Sequence, residues 1–129
     1  HRVGAARSRQ DFKTLARDRA LASFDGLIHV DAGAADTDAL QQCNNLQLDP
    51  GARVAVRPQL DIHTDEVVAS HGATVGQVDP EELRYLCSRG IDPDRARRLI
   101  VAGFIRDGLA SMASLRAVAE TALLDRLPG

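Results

Sequence analysis

The chain has 129 residues and a formal net charge of −2, a size that suits one domain with at most a small appendage. Its near-neutral charge gives no basic field that would draw it to nucleic acid or to an anionic membrane surface. No apolar run approaches the roughly 20 residues that span a bilayer, and the first residues lack the apolar centre of a signal peptide. We therefore expect a soluble, cytoplasmic protein that binds neither nucleic acid nor membranes.

The first 26 residues fit either an amphipathic helix or two strands, and periodicity does not decide between them. From residue 27 to residue 76, short apolar alternations end in Asp, Gly or Pro, which predicts a series of strands and turns. Three apolar pairs should face the buried side, because strand side chains repeat every second residue. These pairs are Ile28 and Val30, Leu46 and Leu48, and Leu60 and Ile62.

Similar turns recur after these strands. They begin at Asp31, at Asp49 18 residues later, and at Thr64 another 15 residues later. Strand and turn units that cannot each close a core are typical of a stacked β-solenoid. An antiparallel sandwich remains the alternative.

Helices are predicted from Asp79 onward. Asp79 is an N-cap before Pro80, and the first helix should end at Gly90. Asp92 caps a second helix, whose predicted apolar stripe is Ala96, Leu99, Ile100, Gly103 and Phe104 and which can run on to Leu109 and Met112. A third helix is predicted over residues 115–127, with Leu115, Val118, Ala119 and Ala122 facing inward.

The two cysteines, Cys43 and Cys87, fit neither a disulfide framework nor a zinc-ligand spacing, so a reducing compartment is expected. Cys43 lies in the polar stretch QQCNN, where metal or sulfur species should reach its thiol. Cys87 lies on the apolar stripe of the first predicted helix. We expect it to be a buried small hydrophobe.

Few residues suggest catalysis. Lys13 is the only lysine and no phosphate-binding loop is present, which argues against nucleotide hydrolysis by this chain. The histidines (His1, His29, His63 and His71) form no helical ligand pair, so most should be ordinary surface or hydrogen-bonded residues. His71 differs because Gly72 permits a backbone conformation that would hold its imidazole at a strand end. Cysteine and imidazole are side chains that bind iron, and a thiolate also accepts sulfur.

The run PQLDIHTDEVVASHGATVGQVDPEELRYLCSRGI, residues 58–91, resembles the signature segment of the SufB and SufD family of iron-sulfur cluster assembly scaffolds. The likeness extends upstream through SFDGLIHVDAGAADTDALQQCNNLQL and downstream into ARRLIVAGF. It is closest to the C-terminal portion of SufD-like proteins. The chain is shorter than family members, which suggests a fragment or a reduced version.

The resemblance implies a mainly β fold, in which part of a right-handed parallel β-helix over residues 1–78 precedes a small helical domain over residues 79–129. It places strands at residues 12–15 and 20–24. It also implies that the chain pairs with SufB or with a second copy of itself, and that its helical domain docks the SufC ATPase. The docking residues we expect are Tyr85, Arg89, Gly90 and Phe104.

The resemblance also implies two site residues. His71 falls on the family's SHG histidine, and Cys43 falls on the cysteine of SufB's TQCDS stretch. SufD proteins usually lack that cysteine, whereas SufB proteins usually carry EHE where this chain has Ser70, His71 and Gly72. The mixture leaves SufB, SufD and an undifferentiated self-pairing protein open.

The leading functional hypothesis is a non-hydrolytic scaffold for iron-sulfur cluster assembly. It would be no enzyme itself and would hold no tight cofactor. Cys43 would accept sulfur or bind a cluster, and His71 would bind transient iron or a cluster edge. The alternatives are a β-helix enzyme of the acyltransferase or metal-hydratase type that uses His71, and a purely structural docking module. The absence of a regular hexapeptide repeat argues against the enzyme.

Overall fold

A computed structural model describes residues 1–110 and 116–125 and divides the chain into two compact units, His1–Gly76 and Gln77–Gly129. The first unit is built from strands and the second from helices. The strands are β1 (Arg7–Ala16), β2 (Leu21–Val30), β3 (Thr37–Gln47), β4 (Arg53–Ile62) and β5 (Val67–Gln77). The helices are α1 (Pro80–Ser88), α2 (Pro93–Gly108) and α3 (Arg116–Leu124).

Successive strands alternate between two parallel sheets. One sheet has the order β1-β3-β5 and the other pairs β2 with β4. Arg7 is the partner of Asp38, and Leu21 is the partner of Arg53. The fold is therefore mainly β, as predicted. Parallel pairing shows that the antiparallel sandwich is wrong, and β1 and β2 show that the ambiguous first segment consists of strands.

The uneven spacing of the turns follows from this alternation. Each strand pairs with the strand after next, so the true repeat is 31 residues between Gln10 and Gln41 and 32 between His29 and Asp61. The turns at Asp31, Asp49 and Thr64 each close only half of this repeat.

Small apolar side chains fill the interior of the strand unit. Ile28, Val30, Ala34 and Ala39 form one buried cluster, against which Val67 and Ala69 pack. The inward prediction is confirmed for Ile28, Val30 and Leu46, which are buried. It is wrong for Leu60 and Ile62, which are each 37% exposed. They align with Ile28 and Val30, but in the part of the chain that the structure describes their sheet contains no further strand beside β4.

A glycine lets the two sheets approach at one point. A Cβ atom on Gly26 would lie 2.7 Å from Gln41 Oε1 and 2.7 Å from the Phe24 ring. Gln41 is only 2% exposed, and its Nε2 donates to Gln10 Oε1 at 2.9 Å. Gln41 Oε1 has no hydrogen-bond partner among the residues that the structure describes. A side chain at position 26 would therefore displace a buried amide.

The helical unit begins as predicted. Asp79 accepts a hydrogen bond from the Glu81 N–H at 2.8 Å, with Pro80 at the first helical position. Gly90 has φ +84, a left-handed conformation that glycine adopts without strain, just after α1. Asp92 then accepts from the N–H groups of Asp94 and Arg95 and caps α2. Among the described helices, none is long and apolar enough to cross a membrane.

The predicted faces of the helices are partly wrong. Ala96 is buried as expected, but the buried stripe of α2 continues through Val101, Ala102 and Ile105, whereas Leu99 is 43% exposed. The run LIVAGFI is apolar on every side, so its periodicity does not fix a face. Cys87 is only partly buried.

The third helix is present where predicted, as α3 over Arg116–Leu124, and the predicted end positions 115, 126 and 127 lie outside the described residues. Val118 is 73% exposed and Ala122 is also exposed, contrary to the prediction, while Ala119 is partly buried. Ion pairing contributes to its packing, since Arg106 Nε lies 2.6 Å from Glu120 Oε1. The predicted inward positions of Met112 and Leu115 lie outside the described residues.

Val30 offers a test of the interior packing. Its side chain is completely buried, so Val30→Ala removes packed methyl groups and leaves a cavity. We expect the free energy of unfolding to fall by about 2 kcal/mol, measured by urea denaturation. Val68 is 70% exposed, and Val68→Ala should change the free energy of unfolding by less than about 0.5 kcal/mol. Equal losses for both variants would contradict the inward assignment of β2.

Candidate functional site

Cys43 lies inside the strand unit. Its side chain is 0% exposed, so the expectation of an accessible thiol is wrong. The reason is the phase of β3, in which Thr37, Ala39, Gln41, Cys43 and Asn45 all face inward. Polar neighbours in the sequence suggested a surface, but here the polar side chains of Gln41 and Asn45 share the interior with the cysteine.

The Asn45 side chain holds the thiol and connects two strands. Its Nδ2 lies 3.5 Å from Cys43 Sγ and donates to the backbone oxygen of Thr74 at 2.9 Å. Thr74 Oγ1 in turn donates to Asn44 Oδ1 at 2.9 Å. These contacts connect β3, which carries the cysteine, to β5, which carries His71.

His71 lies on β5, the outer strand of the three-stranded sheet, and is exposed. Asn44 and Thr74 are 30 residues apart, and the same offset places Gln41 beside His71 and Ala73 beside Cys43. Because Val67 and Ala69 of β5 pack on the core cluster, alternation puts position 71 on that same face. The sheet thus places Cys43 and His71 on adjacent strands.

The expected docking residues all belong to the helical unit. Tyr85 is 58% exposed, and the Arg89 guanidinium lies 5.2 Å from the centre of its ring, a distance suited to a cation–π contact. Gly90 follows them, and Phe104 is partly buried on α2. Tyr85, Arg89 and Gly90 therefore form one accessible segment at the end of α1.

A polar cluster that no sequence pattern predicted lies on the sheet formed by β2 and β4. His29 Nδ1 lies 2.7 Å from Asp61 Oδ2, and His63 Nε2 lies 2.9 Å from Asp61 Oδ1. His29 Nε2 also lies 2.8 Å from Asp31 Oδ1. Within the described ranges, His29, Asp61 and His63 are the group whose ligand atoms come close enough to share a metal ion. The signal that could have found them is an HVD triplet and a DIH triplet one full repeat apart.

Residues 1–104 match the model of a known protein family. The model of the SUF system FeS cluster assembly SufBD core domain matches residues 1–104. The chain belongs to the SufBD core family.

Curated relatives of this SufBD core chain include two proteins named SufD. It is 44% identical over 104 residues to the iron-sulfur cluster assembly protein SufD of Escherichia coli, a match that covers 81% of this chain and 25% of the relative. It is 42% identical over 89 residues to SufD of Bacillus subtilis, covering 69% of this chain and 20% of the relative. The chloroplastic protein ABCI7 of Arabidopsis thaliana is 39% identical over 98 residues, which is 75% of this chain and 21% of that protein. The chain thus spans about a quarter or less of these relatives.

The hydrogen bonds around His29 change the pKa values of the histidine and of both aspartates. Hydrogen bonds that the His29 ring donates to Asp31 and then to Asp61 raise the pKa of His29. The same contacts with His29 lower the pKa values of Asp31 and Asp61. An imidazole held between two carboxylates therefore favours its protonated form.

The stability of the fold should depend on pH through His29, Asp31 and Asp61. The raised pKa of His29 stabilises the fold below the ordinary histidine value, and this stabilisation is lost as pH rises through the raised value. The lowered pKa values of Asp31 and Asp61 stabilise the fold above the ordinary aspartate value. This stabilisation is lost as pH falls through the lowered values. The cluster should contribute most between about pH 4 and pH 6.5.

NMR titration of the histidine ring protons measures this directly. Asp31→Asn should lower the pKa of His29, because it removes the largest cause of the shift. Asp25 lies on the same strand and contacts Arg57 and Gln59 instead, so Asp25→Asn should leave the pKa of His29 unchanged. An identical His29 titration in wild type and Asp31→Asn would contradict the hydrogen-bond assignment.

The two cysteine thiols should react with an alkylating reagent at different rates. Because Cys43 is fully buried and Cys87 only partly so, N-ethylmaleimide should modify Cys87 faster than Cys43 in the folded chain. Peptide mass spectrometry over a time course measures both rates, and urea should equalise them. Faster labelling of Cys43 under native conditions would contradict its burial.

Proposed function

We propose that this SufBD core chain is a non-hydrolytic scaffold component of the SUF iron-sulfur cluster assembly system. It would pair with a SufB-type subunit or a second copy of itself, while a SufC-type ATPase supplies ATP hydrolysis. The single observation that carries this proposal is the family match over residues 1–104. The relatives named SufD favour the same role.

We also propose that the strand unit is part of a right-handed parallel β-helix. The alternation of β1 to β5 between two parallel sheets supports this arrangement. The nearly constant offsets of 31 and 32 residues support it too, because each full turn of a β-helix adds one strand to each sheet.

Pairing would use the β5 edge. A sheet's outer strand presents unpaired N–H and C=O groups to any strand that approaches it. β5 is such a strand, and it carries His71 on an exposed position. A partner strand laid along β5 would therefore bring its own ligands beside His71.

Cys43 would accept sulfur, and His71 would bind iron. The Cys43 thiolate would attack the outer sulfur of a donor persulfide, forming a new S–S bond while the donor's own S–S bond breaks and the donor leaves as a thiolate. Neutral His71 would bind iron through a ring nitrogen. Iron and the growing cluster are the substrate and product of this scaffold. Because Cys43 is buried, sulfur transfer requires the interior to open or a path between the sheets.

The helical unit would hold the ATPase. Tyr85 and Arg89 offer an exposed aromatic ring with a cation stacked over it, a pair that is enriched at protein interfaces. Gly90 and Phe104 would complete this docking surface. Such docking would couple ATP hydrolysis in the partner to the strand unit through the chain between them.

Anaerobic reconstitution tests the proposal. The full SUF complex that contains this chain would be supplied with Fe²⁺, cysteine, a cysteine desulfurase and ATP. Cluster formation would be followed by visible absorption and by acid-labile sulfide. Cys43→Ala and His71→Ala should each reduce the cluster yield to the background of a complex without this subunit.

Two matched variants serve as controls. Cys87→Ala removes the other thiol, and Ser70→Ala alters the residue before His71, so both should keep the wild-type yield. Equal yields in the wild type, Cys43→Ala and His71→Ala would refute the assigned roles. If the ATPase still copurifies in that case, the chain is a structural docking module instead.

Self-pairing has a separate measurement. Size-exclusion chromatography with light scattering should show a dimer at high protein concentration. Val68→Lys places a charge on the edge strand and should shift that dimer toward monomer. A monomer at every concentration would overturn self-pairing and leave only a SufB-type partner.

A further inference from the structure

A two-by-two group of polar side chains covers one end of the sheet formed by β2 and β4. His29 of β2 is paired in register with Asp61 of β4. The ladder continues one step further, because the His63 N–H donates to the Val30 oxygen at 2.9 Å. Asp31 therefore comes beside His63, and the four residues alternate as histidine, aspartate, aspartate and histidine.

Strand alternation explains why all four face outward. Ile28 and Val30 are 6% and 0% exposed and point into the core, so His29 between them points away from it. The side chains of the other members are likewise accessible, from 43% exposed for Asp31 to 54% for His63. A hydrated ion can reach this surface without any opening of the fold.

The ligand atoms are already assembled. One atom each from His29, Asp61 and His63 lies within 4.8 Å of the others. Around a zinc ion with bonds of about 2.0–2.2 Å, neighbouring ligand atoms lie roughly 3.3 Å apart. The three ligand atoms therefore lie close to the spacing that a bound ion requires.

The fourth side chain supports the other three. Asp31 Oδ1 lies 2.8 Å from His29 Nε2, which leaves Nδ1 as the ring atom beside Asp61. A metal-binding histidine generally donates its other ring N–H to a carboxylate, which fixes the ring's orientation and tautomer. Asp31 thus occupies the position of an orienting group.

We propose that His29, Asp61 and His63 form a binding site for one divalent first-row transition-metal ion. Nδ1 of His29, a carboxylate oxygen of Asp61 and Nε2 of His63 are the ligands, with Asp31 as the positioning residue. Two imidazoles and one carboxylate suit Zn²⁺, Co²⁺ or Fe²⁺ rather than Mg²⁺ or Ca²⁺, which prefer oxygen ligands throughout. Solvent fills the remaining coordination positions.

A bound ion would connect two neighbouring strands. His29 belongs to β2, whereas Asp61 and His63 come from the end of β4 and the residue after it. The ion would therefore hold the β2 and β4 ends together, and its binding would stabilise the folded state over the unfolded chain. This site lies on a different sheet from Cys43 and His71, so it does not depend on the proposed function.

Zn²⁺ titration by isothermal calorimetry tests the site, using the full chain without a polyhistidine tag. The wild type should bind one Zn²⁺ per chain. His63→Gln and Asp61→Asn should each weaken that binding by about tenfold or more, and Asp31→Asn by about tenfold through loss of orientation. Co²⁺ provides a second readout, because its visible absorption intensifies when imidazole nitrogens bind it in a four-coordinate site.

Asp25→Asn is the matched control. Asp25 lies on β2 four positions before His29 and pairs with Arg57 and Gln59, so this variant should bind Zn²⁺ as the wild type does. Thermal unfolding checks the fold of every variant, and saturating Zn²⁺ should raise the midpoint of the wild type but not of His63→Gln. Wild-type affinity in folded His63→Gln and Asp61→Asn would overturn the proposal, as would the absence of any Zn²⁺ binding by the wild type.

Discussion

The parallel hydrogen-bond ladders between strands about thirty residues apart determine everything else in the strand unit. They pair β1 with β3 and β2 with β4 in continuous register. A shift of one residue would turn each inward side chain outward, since strand side chains alternate between faces. The same register buries Val30 and Cys43 and brings His29 to Asp61. The register of the strands therefore determines both which residues form the core and which residues meet at the candidate sites.

Local signals in the sequence predicted local structure well. Aspartate, proline and glycine marked the boundaries of α1 and the start of α2, because capping depends on neighbouring residues alone. The sequence predicted less well which face of a helix or strand is buried. The apolar run in α2 has no polar side to fix its orientation, and the exposure of Leu60 and Ile62 depends on whether another strand follows β4 in its sheet.

The candidate sites show the same division. Cys43 and His71 were selected by residue type and by resemblance, yet the burial of Cys43 could not be read from QQCNN. Gln41 and Asn45 of β3 point inward, where their amide groups donate to Gln10 Oε1 and to the backbone oxygen of Thr74. The cluster around His29 could not be predicted from the sequence because its members are far apart in the chain. Only a known register makes them neighbours.

The contact of Gly26 with Gln41 limits which sequences this fold accepts. A Cβ at position 26 would overlap the amide oxygen of Gln41 and the ring of Phe24, so a larger residue there requires these two side-chain ends to move. Movement of the Gln41 amide would weaken the hydrogen bond that it donates to Gln10. A substitution at position 26 on β2 therefore affects a side chain of β1, which belongs to the other sheet.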